Sequence, residues 1–250
     1  RHVLRPEAMH FEYHRWYSHR VERDMGLLVI GHAGAKVLVF PTRDGDFREY
    51  ENLRMHHGIS EKISRGQLQL YCVDSYARES LYAGWISPHE RIRRHIQYED
   101  YILNEVMPLM ARKNSHECTI SHGLSLGAYH AANIAFRHPH LFRKLCAFSG
   151  RYDLTLQVES FENLFGGYYD EDIYFHSPSH FLPNLSDPRS LESLRRMDIV
   201  FVVGREDPFR ENNQHVSRTL RDKGIAHGLH EWDGRAHEGY SWRRMAPIYL

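Results

Sequence analysis

Gly123-Leu124-Ser125-Leu126-Gly127 is the stretch of sequence that decides the fold. A strand-like run, Glu117 to His122, precedes it, and a helical pattern of small residues, Gly127 to Arg137, follows it. A serine on a tight turn between a strand and a helix is held with its Oγ exposed. The flanking residues are glycines because a Cβ at either position would collide with the neighbouring strand or helix. The sequence therefore predicts a strand, a sharp turn with Ser125 at its apex, and a helix.

Further strand-like segments lie on both sides of this unit. They are His10–Ser18, Leu27–Gly31, Lys36–Phe40, Gln67–Val73, Lys144–Phe148, Asp198–Val203 and Ala226–Glu231. Helical patterns begin at Pro88, occupy Arg210–Lys223 and resume after His237, and Pro108 is expected to kink or restart the first of them. Strands that alternate with helices predict an α/β fold with a mostly parallel central sheet, helices on both faces, and ligands at the carboxyl ends of the strands.

The chain is expected to form one domain, residues 1–250, because no long linker rich in Gly, Ser or Pro divides it. Periodicity is lost between Leu154 and Pro188, where Phe, Tyr, Gly and Pro are crowded together. This segment, about 154–188, is interpreted as an irregular, cap-like excursion over the sheet.

Charge and hydropathy exclude several classes of partner. The chain carries 32 basic and 32 acidic side chains, so there is no overall field that would attract nucleic acid or an anionic membrane. No apolar run approaches the roughly 18 residues of a membrane span, and the amino terminus, Arg1–Pro6, has no apolar signal region. We therefore expect a cytoplasmic protein with no nucleic-acid or membrane partner.

Cysteine and histidine give no sign of a metal or cofactor. The three cysteines, Cys72, Cys118 and Cys146, cannot all pair, two of them fall within strand-like runs where cysteine behaves as a small apolar residue, and no chemistry is assigned to any of them. The 20 histidines show no spacing such as His-Glu-x-x-His that a metal site requires. No metal and no cofactor are expected.

Ser125 and His237 are the candidate nucleophile and general base. A serine hydroxyl is nearly inert at neutral pH and needs a base to take its proton. An imidazole can do so, and His237 lies in a polar loop after the last predicted strand, whereas its rival His230 lies within that strand. The alternative for Ser125 is a cap of the helix that follows.

Asp207 is the candidate that orients the imidazole and stabilises its protonated form. It follows the predicted strand Asp198–Val203, three residues after Gly204. Glu206 and Asp153 are alternatives, since either carboxylate could instead serve a helix amino terminus. The chain order of serine, acid and histidine is that of α/β-hydrolases.

An oxyanion hole needs two backbone N–H donors, one from the residue after the nucleophile and one from a loop after an earlier strand. Leu126 supplies the first. The second is expected from Thr42 or Arg43, because Pro41 has no N–H. The loop could equally be an ordinary turn at Asp44-Gly45.

Aromatic and basic residues at the same predicted edge are candidates for substrate contacts, although aromatic side chains more often serve plain packing. The aromatic candidates for the pocket are Tyr76, Trp85, Tyr152, Phe165, Tyr168 and Tyr169. Four arginines could bind an acidic group of a substrate, but we expect them to be solvated: Arg43, Arg48, Arg78 and Arg151.

Together, the serine turn, the Gly-x-x-Asp after a late strand, and the ending Trp232 to Arg243 resemble the esterase family of α/β-hydrolases that contains esterase D, bacterial feruloyl esterases and mycolyltransferases. The resemblance extends from about Trp16 to Leu250. It implies a serine esterase whose catalytic residues match Ser125, Asp207 and His237.

Three further segments bear on this resemblance. Phe175–Pro178 with Phe181–Asn184 resembles a segment of the smaller bacterial members. The loop Pro41–Asp46 departs from the family's Leu-x-Gly pattern. Gly239-Tyr240 stands where a bulky tryptophan is common, which implies a pocket of different shape.

The sequence thus predicts a serine hydrolase that cleaves a small-molecule carboxylic ester through an acyl-enzyme. Two alternatives stay open. An acyltransferase would use the same acyl-enzyme with an alcohol as acceptor, and a binding protein could use a hydrolase fold without turnover. The acid, the alcohol and the formation of a homo-oligomer also stay open.

Overall fold

An eight-stranded sheet forms the centre of the structure, a computed structural model that describes residues 9–250. The strand order is β1-β2-β4-β3-β5-β6-β7-β8. In chain order the strands are β1 (Phe11–Ser18), β2 (Arg23–Ile30), β3 (Ala35–Phe40), β4 (Leu68–Val73), β5 (Thr119–Leu124), β6 (Lys144–Phe148), β7 (Asp198–Gly204) and β8 (Gly228–Trp232). The amino-terminal stretch Arg1–Pro6, where the sequence shows no apolar signal region, lies outside the described residues.

Only β2 runs against the direction of the other strands. β1 pairs antiparallel with β2, and β2 pairs antiparallel with β4, whereas the other strand pairs are parallel. β2 begins at Arg23 rather than Leu27 because its first residues pair with the end of β1. The predicted α/β fold with a mostly parallel sheet is confirmed.

Ten α-helices connect or flank the strands. They are α1 (Glu49–Asn52), α2 (Ser60–Ser64), α3 (Pro88–Tyr101), α4 (Met107–Lys113), α5 (Leu126–Arg137), α6 (Glu171–Phe175), α7 (Pro178–Phe181), α8 (Pro188–Arg196), α9 (Arg210–Asp222) and α10 (Gly239–Tyr249). None of these helices, all within residues 9–250, has the length and apolar composition that crossing a membrane requires.

Two stretches differ in detail from the sequence prediction. The segment 154–188 is not wholly irregular, because its second half forms the short helices α6 and α7. Before Pro108, helix α3 is followed by a π-helical turn, Ile102–Val106, and α4 then begins at Met107. A proline lacks the N–H that would continue the regular bonding, so the restart follows from its chemistry.

Apolar residues fill two layers, one on each face of the sheet. β2 shows the alternation, since Leu27 and Val29 belong to one layer and Leu28 and Ile30 to the other. Helices α3, α4, α5, α8 and α9 cover the first layer, and α1, α2 and α10 cover the second. One sheet with two such layers supports our proposal that the chain forms a single domain.

The pairing register brings the carboxyl ends of the parallel strands to one edge. Phe40 lies beside Gly123, Leu124 beside Phe148, and Gly204 beside Trp232. The loops that follow β3, β5, β7 and β8 therefore leave the sheet at the same edge.

The turn after β5 depends on close contact between backbones. A Cβ on Gly123 would overlap the carbonyl group of Gly127, and a Cβ on Gly127 would overlap the carbonyl oxygens of Phe40 and Pro41. Helix α5 therefore begins directly against the end of β3. This contact is the collision that the sequence analysis gave as the reason for both glycines.

We expect Gly127→Ala to destabilise the protein, although alanine is the better helix former. Its methyl group must displace backbone atoms, and such overpacking costs about 1–3 kcal/mol. The matched control is Gly84→Ala, where a Cβ would meet nothing within 4 Å. Urea unfolding should show a loss for Gly127→Ala and a change within about 0.5 kcal/mol for Gly84→Ala. Equal stability of the two variants would contradict the proposed contact.

Three histidines are packed together between α3 and α5. The ring of His95 lies 5.4 Å from that of His130 and 5.0 Å from that of His176. Burial lowers the pKa of His130 to about 3 and that of His176 to about 4. These imidazoles therefore stay neutral in the folded protein at a pH where the unfolded chain binds protons.

We expect the free energy of unfolding to fall as the pH is lowered from about 6.5, the ordinary pKa of histidine, towards 4. The sign follows because the unfolded state binds more protons over this range. His130→Phe should reduce the slope by up to about 1.4 kcal/mol per pH unit. Urea unfolding at several pH values measures this, with the exposed His19→Gln as control. The same slope in wild type and His130→Phe would refute the prediction.

Candidate active site

Ser125 occupies a strained turn at the carboxyl end of β5. Its backbone has φ 58° and ψ −119°, a conformation that only glycine adopts at little cost. The turn is held by the hydrogen bond from the N–H of Ser125 to the carbonyl oxygen of Phe148, 2.9 Å long, and by the backbone contacts of the two flanking glycines.

A series of hydrogen bonds joins the side chains of Ser125, His237 and Asp207. Ser125 Oγ lies 2.8 Å from His237 Nε2, and His237 Nδ1 lies 2.9 Å from Asp207 Oδ2. The other carboxylate oxygen of Asp207 accepts a bond from the N–H of Phe209, 2.9 Å away, and its side chain is almost fully buried. Such a series can move a proton from the serine hydroxyl to the imidazole.

The alternatives from the sequence lie elsewhere. His230 is exposed on β8, with its ring 4.7 Å from that of Tyr249. The carboxylate of Asp153 binds Thr155 and His180 instead of His237. Glu206 is exposed, and its only described bond is a backbone one to Gly234. None of the three contacts His237.

The loops that carry Asp207 and His237 are joined to each other. A Cβ on Gly204, at the end of β7, would overlap the carbonyl group of Arg235. The N–H of Glu206 donates to the carbonyl oxygen of Gly234 at 2.9 Å. The two loops therefore approach closely enough for a carboxylate on one to reach an imidazole on the other.

Ser149 and Trp242 support the histidine loop, and the sequence analysis did not identify this role. Ser149 Oγ donates to the carbonyl oxygen of Ala236 at 2.9 Å and accepts a bond from Trp242 Nε1 at 3.0 Å. The ring of Trp242 lies 5.6 Å from that of His237. The position of Ser149 directly after β6, at the edge that carries the site, was the available signal.

The candidate oxyanion donors lie beside Ser125, but one of them is already engaged. The N–H of Thr42 donates to Glu49 Oε1 at 2.9 Å, and its hydroxyl donates to Glu49 Oε2 at 2.5 Å. Burial raises the pKa of Glu49, and the two bonds from Thr42 act in the opposite direction. Within residues 9–250 the N–H of Arg43 has no such partner. Of the two residues left open by the sequence, Arg43 is therefore the one whose N–H is not engaged by a described residue, and Leu126 lies at the first turn of α5.

A cavity of about 450 Å³ opens beside Ser125 and His237. Thr42, Arg43 and Leu126 line it together with these two residues. Its walls also carry apolar and aromatic side chains, namely Leu53, Tyr82, Phe161, Phe209 and Trp242. The cavity can therefore hold a small molecule with an apolar part next to the serine hydroxyl.

None of the six aromatic residues predicted for the pocket lines this cavity. Tyr76, Tyr152 and Phe165 are buried, because the first two belong to the apolar layer covered by α3 and α5, and Phe165 belongs to a smaller apolar cluster with Leu126 and Ile173. The other three are at the surface: Trp85 is 68% exposed, Tyr168 38% and Tyr169 51%. The aromatic wall comes instead from Tyr82, Phe161 and Phe209, which the sequence analysis missed although Phe209 lies two residues after Asp207.

The four arginines differ in their surroundings. Arg48 and Arg78 are exposed and pair with Asp46 and Asp44, as the expected solvated residues would. Arg43 is half-exposed, with its guanidinium 4.7 Å from the centre of the Tyr82 ring. Arg151 is only 6% exposed, so the expectation of a solvated arginine is wrong there.

Residues 9–250 contain no group of three or more His, Cys, Asp or Glu side chains arranged to hold a metal ion. Within the same range all three cysteines are free, and burial raises the pKa of the Cys146 thiol to about 12.

Comparison with known proteins gives the family. A family model described as "Putative esterase" matches residues 18–245. No match was found among curated proteins.

Solved structures share the fold at low identity. A ferulic acid esterase has a TM-score of 0.74 and 14% identity, with 96% of this chain and 95% of that chain covered. For fluorophosphonate-binding serine hydrolase F of Staphylococcus aureus the TM-score is 0.73 and the identity 16%, with 96% of each chain covered. For an S-formylglutathione hydrolase of Agrobacterium tumefaciens the TM-score is 0.72 and the identity 13%, with 97% of this chain and 95% of that chain covered.

At these identities the solved structures show the fold, an α/β-hydrolase fold, and the family model carries the assignment. Because that model covers most of the chain, the protein belongs to the esterase family and is a carboxylic ester hydrolase.

Proposed function

We propose that the protein hydrolyses small-molecule carboxylic esters through an acyl-enzyme formed on Ser125. The observation that carries the proposal is the series of hydrogen bonds from Ser125 through His237 to Asp207 beside a cavity of small-molecule size. The balance of acidic and basic residues gives no reason to add nucleic acid as a partner.

In the first half of the reaction, Ser125 Oγ attacks the carbonyl carbon of the ester while its proton passes to His237 Nε2. The negative charge that develops on the carbonyl oxygen is stabilised by the N–H groups of Leu126 and Arg43. When the carbon–oxygen bond to the alcohol breaks, the imidazolium returns the proton to the departing alkoxide. An ester of Ser125 with the acid remains.

In the second half, water replaces the alcohol. His237 takes a proton from the water as it attacks the acyl carbon, and then returns that proton to Ser125 Oγ as the acid leaves. Asp207 keeps its carboxylate against Nδ1 throughout, which fixes the tautomer of the imidazole and stabilises its charged form. The N–H of Phe209 on Asp207 holds this carboxylate in place.

We expect Ser125→Ala to abolish ester turnover with little change in fold. Removal of the serine of such a triad lowers kcat by about 10⁶-fold. The measurements are the hydrolysis of a 4-nitrophenyl ester and mass mapping of the residue labelled by a fluorophosphonate, which should be Ser125 in wild type. A folded variant that keeps more than about a tenth of the activity would exclude Ser125 as nucleophile.

We expect Asp207→Asn to lower kcat by about 10⁴-fold, because an amide favours the wrong imidazole tautomer. Glu206→Gln is the matched control, since Glu206 is adjacent and exposed, whereas the bond to the imidazole is made by Asp207. Asp153→Asn should cost much less than Asp207→Asn. Melting temperatures establish that each variant is folded. If Asp153→Asn were the crippling change and Asp207→Asn nearly silent, the acid would be misassigned.

A further inference from the structure

A second cavity adjoins the one beside Ser125. It also measures about 450 Å³, and four residues line both cavities: Arg43, Tyr82, Arg151 and Phe161. The second cavity extends away from Ser125 towards Arg91 and Leu164. A substrate whose ester lies at Ser125 can therefore place a remote part at the boundary between the two cavities.

Arg151 stands at this boundary as a buried cation that forms no ion pair within the described residues, because the nearby carboxylate of Asp153 is bound to Thr155 and His180. Its Nε and Nη2 donate to the carbonyl oxygen of Asp153 at 3.3 Å and 3.1 Å, and Nη2 also donates to that of Leu156 at 3.0 Å. Among residues 9–250 no carboxylate oxygen lies within 4.0 Å of this guanidinium. Its other flank stacks on the ring of Phe209, 4.8 Å from the ring centre.

These contacts leave part of the guanidinium unused. A guanidinium has five N–H donors, and the bonds to backbone carbonyl oxygens use only Nε and Nη2 of Arg151, so that the neutral hydroxyl of Tyr82 is the other polar group beside this guanidinium. A buried charge without a counterion lowers the stability of the fold unless hydrogen bonds or a bound ion of opposite charge offset its loss of hydration. Because Arg151 lines both cavities, a bound anion can reach the unused edge.

Other charges around the second cavity favour an anion as well. Arg91 donates to the carbonyl oxygens of Ala83 and Leu164, both at 2.9 Å, and forms no ion pair within the described part of the chain. Arg43 also lines this cavity. The only acidic residue among those that line the second cavity is the exposed Glu162. Three guanidinium groups therefore line the second cavity, and only that of Arg43 has a carboxylate partner, the exposed Asp44.

The acids of the first cavity do not neutralise Arg151. Glu49 is held by Thr42, and Glu238 caps α10 through the N–H groups of Tyr240 and Ser241. Asp44 pairs with Arg43 and Arg78 at the surface. Each of these carboxylates already has donors of its own.

We propose that Arg151, with Arg91 and Arg43 nearby, binds a carboxylate of the substrate, so that the protein prefers esters carrying an anionic group remote from the bond that is cleaved. This inference rests on the proposed function for the position of the ester. The planar guanidinium suits a carboxylate because two parallel N–H donors match its two oxygens. The rings of Tyr82 and Phe161 form the wall between the ester and the anion.

The test compares matched esters that differ only in charge. On the acyl side, the 4-nitrophenyl monoester of adipic acid is compared with the same ester whose free carboxylate is replaced by a primary amide. On the alcohol side, 6-butyryloxyhexanoate is compared with its primary amide. In at least one pair we expect kcat/KM to be about tenfold or more higher for the carboxylate, since a charge-assisted hydrogen bond contributes about that factor.

Arg151→Met should remove this preference, and Arg48→Met is the matched control that should retain it. Arg48 is an exposed arginine paired with Asp46, and it lines neither cavity. Should Arg151→Met fail to fold, Arg151→Lys, which keeps the cation but not the planar fork, should lose most of the preference.

A binding measurement separates this inference from the proposed function. Calorimetry on the wild-type protein should detect binding of adipate but not of adipamide, whether or not any ester is turned over. Equal kcat/KM within both ester pairs, or equal binding of adipate and adipamide, would overturn the anion site while Ser125-dependent hydrolysis stood. Adipate binding without hydrolysis of any ester would instead overturn the proposed function alone.

Discussion

The contact between the start of α5 and the end of β3 is the constraint on which the site depends. No side chain separates the two backbones, since a Cβ on Gly127 would overlap the carbonyl oxygens of Phe40 and Pro41. The contact fixes the turn that presents Ser125 and places the loop after β3 beside it. Both proposed oxyanion donors, Leu126 and Arg43, owe their position to this approach.

Sequence reasoning succeeds where chain connectivity determines position. Parallel strands must end at the same edge of a sheet, so residues that directly follow β5, β7 and β8 could be expected to meet. Ser125, Asp207 and His237 follow these strands, and the structure brings the three side chains together. The strands and helices themselves could be predicted for a different reason, because the apolar pattern that indicates each of them lies within a short stretch of sequence.

The pocket could not be predicted in this way. Whether a loop ring turns inward or towards solvent depends on contacts between segments distant in sequence, so Tyr152 packs in the core whereas Phe161 lines the cavity. The same holds for Arg151, whose neighbour Phe209 reaches it only in the folded chain. Likewise, the choice between Thr42 and Arg43 needed the position of the Glu49 carboxylate.

The bonds between Thr42 and Glu49 have a consequence for the energetics of the proposed reaction. They hold the loop after β3 in one arrangement before any substrate arrives, and the Glu49 carboxylate is desolvated to form them. A dipole already oriented towards a developing charge requires no reorganisation at the transition state. In the proposed reaction, the cost of orienting the proposed Arg43 donor is therefore incurred once, when the chain folds, and not at each turnover.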